Sequence, residues 1–152
     1  MNFEARNAIN SKEATAYIRL NGKNHELFYA KDLEATASKN KEEVRALGTR
    51  AVGHKTVSWQ GEGTLTIYRV TSLFKQLMLD YINNGIDTYF DLVCTNDDPS
   101  TPYGAETTTL TGCNFDEVDF ASFDTEDGVL EQELPFSFEG ADLPSAFKEI
   151  TV

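Results

Sequence analysis

Cys94, Cys113, His25 and His54 are the chain's whole supply of thiols and imidazoles. A cysteine nucleophile needs a base beside it to form the thiolate. His25 follows a turn signal, His54 ends a long basic segment, and neither cysteine stands in a recognisable nucleophile motif. Covalent catalysis has no anchor here, and the chain reads as a non-enzyme. In a reducing compartment both cysteines are expected as buried free thiols.

Carboxylates are the other candidates. Asp116-Glu117-x-Asp119 and Asp124-x-Glu126-Asp127-Gly128 gather oxygens that a hard cation would accept. The second run lacks the alternating ligand spacing of a calcium loop. Both are read as acids on solvated turns, with no metal and no cofactor implied. Gly61-Glu62-Gly63 lacks the third glycine and the lysine of phosphate cradles. Phe136 and Phe138, and Tyr68 near Val70, read as core or interface. A base-stacking platform would need basic neighbours, and the C-terminal stretch around Phe136 and Phe138, residues 76–147, has none.

Charge segregation is stronger than any of these signals. Residues 76–147 contain sixteen Asp and Glu and not one Lys, Arg or His. Residues 1–75 carry twelve Lys and Arg against eight acids, and the whole chain is at −12. That balance excludes an ordinary nucleic-acid binder, which needs a basic footprint. It suits a surface that repels DNA on one side and attracts further copies through another.

Residues 39–55 hold five of the thirteen cations, Lys39, Lys41, Arg45, Arg50 and Lys55, together with apolar Val44, Leu47 and Val52. The segment has no clean period and reads as a long loop, either a solvated hairpin tip or an assembly contact. One exposed ion pair is worth about 0–1 kcal/mol. Repeated around a symmetric assembly, such contacts add up because they are made together.

The elements that must position these residues are mostly strands. One domain spans residues 1–152, with residues 1–12 as a polar arm. Ala14, Ala16, Ile18 and Leu20 alternate with polar partners, and Asn21-Gly22 marks a hairpin turn. A second strand is predicted over residues 24–38, with a bend near Lys31-Asp32. Val57, Trp59, Leu65 and Ile67 share one parity of the next strand, with Gly61 and Gly63 marking a bend or the close approach of another backbone. The other parity, Thr56, Ser58, Gln60, Glu62, Thr64 and Thr66, makes a candidate water-facing set. Leu73, Phe74, Leu77, Met78, Tyr81 and Ile82 predict a single helix, capped by Thr71 or Ser72 and closed by Gly85. Further strands follow at residues 88–95, around Gly112, and at Leu130, Leu134, Phe136 and Phe138. Pro135 demotes the last of these toward an edge or a bulge. The tail from Gly140 reads as irregular. The class is mainly β (α+β): an antiparallel β-sandwich or partly closed barrel with one flanking α-helix. No apolar run approaches the roughly 18–20 residues of a membrane span. The first residues do not resemble a signal peptide, so synthesis in a cytoplasm is expected.

The ordered runs Leu47-Gly48-Thr49-Arg50, Gly53-His54-Lys55, Trp59-Gln60-Gly61-Glu62-Gly63, Leu65-Thr66-Ile67-Tyr68, Thr71-Ser72-Leu73-Phe74, Met78-Leu79-Asp80-Tyr81-Ile82 and Asp87-Thr88-Tyr89-Phe90-Asp91 resemble the tail tube protein of contractile-tailed bacteriophages. Within that family the resemblance is to the branch found in Gram-positive phages and defective prophage elements. Thr95-Asn96-Asp97-Asp98-Pro99, Leu110-Thr111-Gly112-Cys113-Asn114 and Pro135-Phe136-Ser137-Phe138-Glu139 continue the resemblance.

The resemblance implies stacked hexameric rings forming a tail tube, with one sheet of each subunit lining a channel for DNA ejection. Its implied partners are further copies, tail sheath, tape-measure, baseplate and tail-terminator proteins. DNA would transit without specific binding and no membrane is involved. The location would be a virion tail or phage-like particle, assembled in the host bacterial cytoplasm. The alternative left by the residues alone is a monomeric β-barrel or sandwich module binding a small ligand or protein partner.

Overall fold

The computed structural model of the chain describes residues 4–9, 14–27, 29–121, 128 and 130–149. Half of the proposed arm, residues 1–3 and 10–12, and the acids Asp124, Glu126 and Asp127 lie outside the described residues. Strand β1 (Ala14–Leu20) turns through Asn21 and Gly22 into β2 (Lys23–Glu26). Both turn residues have positive φ, 51° and 78°. This two-residue turn matches the twist of the strands it joins, so Leu20 pairs directly with Lys23.

Strands β3 (Ala30–Val44) and β4 (Gly53–Tyr68) form one long antiparallel hairpin. The register slips at Lys31, where the sequence predicts an irregularity. Residues 39–44 and 53–55 are therefore paired strand rather than loop, and only residues 45–52 connect them. Alternating hydrophobicity is missing there because neither face of this ribbon is buried, so its strands carry no periodic signal.

Helix α1 (Leu73–Asn84) follows, then β5 (Phe90–Asp97), β6 (Ala105–Phe115), β7 (Glu131–Phe138) and β8 (Gly140–Ser145). The Thr71 hydroxyl oxygen accepts the Leu73 N–H at 3.2 Å. Gly85, at φ 68°, closes the helix with its N–H on the Tyr81 carbonyl. The segment after Gly140 is a strand on β6, not irregular chain.

The strands run β2-β1-β5-β6-β7-β4-β3, with β8 also on β6. Strand β6 bends at Gly112, whose φ is 63°. It pairs with β8 up to Thr111 and with β5 up to Cys113; beyond these, Asn114 and Phe115 pair with β7. The sheet thus folds over itself without closing into a barrel. Ile18, Leu92 and Leu110 from one half meet Leu65, Ile67, Leu134 and Phe136 from the other in a single core. Strand β7 lies between β4 and β6 rather than at an edge. Pro135 is tolerated because its carbonyl side faces β6 where that ladder is running out, with Asp116 N–H as its partner. Gly61 and Gly63 admit the rings of Phe138 and Phe136 against β4, so the close approach is chiefly by aromatic side chains.

Candidate functional site

Two features stand out once the core is accounted for. The first is a finger. Strand β4 pairs with β7 only from Gly61 onward, so residues 53–60 are held by β3 alone. At about 3.3 Å per residue, those eight residues project about 26 Å. Every residue from 34 to 60 is exposed, so the whole ribbon lies in solvent. A two-stranded ribbon with no third strand beside it is marginal alone in water.

The finger carries Lys39, Lys41, Arg45, Arg50 and Lys55, with Val44, Val52, Val57 and Trp59 each more than 40% exposed. Leu47 sits at the tip beside Gly48 (φ 82°) and is fully exposed. Arg45, just past the end of β3, pairs with Glu43 near that strand's end at 3.3 Å, an exposed contact of little weight. The structure brings the eight sequence-selected loop residues together on this one projection, though as a hairpin and not a loop.

The second feature is the outer face of β3, β4 and β7. Directly opposed antiparallel residues share a face. Ser58, Gln60, Glu62, Thr64 and Thr66 oppose Asn40, Ser38, Thr36, Glu34 and Asp32 on one side. Glu62, Thr64 and Thr66 oppose Ser137, Pro135 and Glu133 on the other. Glu131 continues the row and accepts a 2.9 Å bond from Lys31. The face is polar and carries Asp32, Glu34, Glu62, Glu131 and Glu133 against that lysine. Thr56 belongs to it less closely, because the register slips before it and it opposes Lys41. Burial, and then the Glu62 charge, raise the Asp116 carboxyl above its ordinary range.

Elsewhere the chemistry is quiet. Cys94 and Cys113 are free thiols. Burial pushes Cys94 up to about 11 and Cys113 up to about 12, so neither offers a thiolate near neutrality. His25 opposes Ile18 on β2 and His54 opposes Glu43 on the finger. Among the described residues no three His, Cys, Asp or Glu are placed to share a metal ion. Asp119 instead faces Arg69 at 3.7 Å. No helix among the described residues is long and apolar enough to cross a membrane.

A cleft of about 790 Å³ is lined from β1, β3, β5 and β6. Its wall mixes Glu26, Lys31, Asp32 and Glu106 with a few apolar groups, unlike the mostly apolar lining of small-molecule sites. A smaller groove of about 170 Å³ runs between α1 and the end of β6. Leu77, Met78 and Tyr81 form its apolar wall, with Asp87 and Asp116 also lining it. The Asn114 amide donates to Asp87 at 2.7 Å. Sequence reasoning missed this groove, since its walls are distant along the chain. The exposure of Tyr81 and Ile82, on the predicted inward face of α1, is its visible sign.

Comparisons with known proteins agree with this geometry. A family described as "Phage tail tube protein" matches residues 1–145. Phage-like element PBSX protein XkdM of Bacillus subtilis is 42% identical over 149 residues, covering 98% of this chain and 99% of that protein. Among solved structures, the tube-terminating cap of the anti-feeding prophage gives a TM-score of 0.70 at 10% identity, over 96% of this chain and 97% of its own. The SPP1 tail tube gives 0.64 at 10% identity, over 90% of this chain and 78% of its own. These two likenesses concern the fold.

Proposed function

The chain belongs to the phage tail tube protein family, and we propose that its copies close into hexameric rings that stack as the inner tube of a contractile tail or phage-like particle. The finger carries this reading. A ribbon in solvent on both faces, with cations and apolar groups at its end, is an element waiting for another subunit. In the assembly, Lys39, Lys41, Val44, Arg45, Leu47, Arg50, Val52 and Lys55 bridge subunits or rings.

The polar face of β3, β4 and β7 lines the bore. Its acids repel phosphates, so DNA slides without gripping the wall. At physiological salt this repulsion reaches only about 8 Å, and it acts as DNA nears the wall. The subunit is a wall component and not an enzyme. Sheath, baseplate and terminator proteins are its expected neighbours outside and at the tube ends, and the tape-measure protein inside. A solved neighbour of similar fold comes from a contractile injection system's sheath–tube complex.

Negative-stain microscopy at raised protein concentration tests the proposal. Rings or rods are expected, and Arg45→Glu with Arg50→Glu should abolish them while the circular dichroism spectrum stays unchanged. A clean monomer at every salt and concentration would overturn it.

A further inference from the structure

We propose that the groove between α1 and the end of β6 is the socket for the fingertip of a second copy, with Leu47 seated against Leu77, Met78 and Tyr81 and the tip arginines facing Asp87 and Asp116. This rests on the tube reading and names the finger's partner.

The finger cannot reach its own socket. The groove includes Asn114 and Phe115, whose β7 partners Ser137 and Phe136 oppose Glu62 and Gly63. From Glu62 to the finger's end at Gly53, β4 extends for nine residues, or about 30 Å, through one slip in register. A paired strand of that length holds the tip away from the groove of its own body, so a second molecule is what brings the two together. Such a head-to-tail contact uses different patches on each partner, and it repeats into a ring or a filament.

Size and charge fit as well. The groove, at about 170 Å³, falls short of the roughly 300–1,000 Å³ of small-molecule sites. It suits an inserted side chain, and Leu47 is the most exposed large apolar residue described. No Lys, Arg or His lines the groove, whereas two aspartates do. The Asp116 carboxyl already feels the Glu62 charge, so an arriving arginine relieves a like-charge conflict. Around the groove Tyr81, Ile82 and Ile86 are each more than half exposed, offering apolar surface to Val44 and Val52.

Site-directed cross-linking tests the contact. Leu47→Cys protein is mixed with Tyr81→Cys protein, assembled into rods, treated with a short bismaleimide and mapped by mass spectrometry. A link between positions 47 and 81 of different chains is expected as the dominant new product. Rods in which position 47 links only to other surfaces, or to none, overturn the socket while leaving the tube reading standing. If wild-type protein never forms rods, the tube reading fails and the socket fails with it. Charge reversal gives a second arm. Arg45→Glu/Arg50→Glu and Asp87→Lys/Asp116→Lys should each cut rod mass at least tenfold, and the four changes in one chain should restore it. Folded quadruple variant without recovery counts against the pairing.

Discussion

The Phe136 ring fills the space where Gly63 would carry a side chain: a Cβ there would stand 2.5 Å from ring Cζ and 2.6 Å from the Glu34 carbonyl oxygen. With a ring on one side and backbone on the other, neither neighbour yields cheaply. Gly63→Ala should therefore cost about 1–3 kcal/mol, as overpacked cores do. Gly53, whose added Cβ meets only the Val44 carbonyl oxygen at 3.6 Å, is the control. Urea midpoints should fall for the first variant and stay close to wild type for the second. Equal midpoints would contradict the packing account.

Asp116 sets a pH dependence. Though Asp116 lies at the surface, partial desolvation and then Glu62 raise its folded-state pKa, so the folded chain holds this proton more tightly than the unfolded chain. Its contribution is most favourable below the unfolded carboxylate range and is lost as pH rises through the folded value. Asp116→Asn should melt above wild type at neutral pH and coincide with it in acid. A lower melting temperature at neutral pH would reverse the assigned sign.

Thiol titration checks the reading of Cys94 and Cys113. Both are free, and burial raises both well above the ordinary thiol range. An aromatic disulfide reagent near neutral pH should react slowly with folded protein and rapidly after denaturation. Prompt reaction of both cysteines in the native chain would refute the protonated state of half-buried Cys94 and buried Cys113.

What the sequence made legible was local. Asn21-Gly22 announces its turn because two positive φ values need those residue types. Helix α1 is readable from Leu73, Phe74, Leu77 and Met78, which do meet the core, and from Gly85 at its end. The inward set on β7 follows from alternation, since Leu134, Phe136 and Phe138 are buried. The finger's strands were hidden because they have no buried face to impose a period. Strand β8 was hidden likewise, exposed along most of its length and holding a proline. The groove depends on α1 meeting residues 114–118, a long-range contact that no local pattern encodes.

A cryo-EM map of the assembled protein is the most direct measurement of the central claim. It should show Glu34, Glu62 and Glu133 facing the bore, and the β3–β4 finger leaving its own subunit to lie on another. A map with that acidic face turned outward, or with each finger contacting only its own body, would contradict the account.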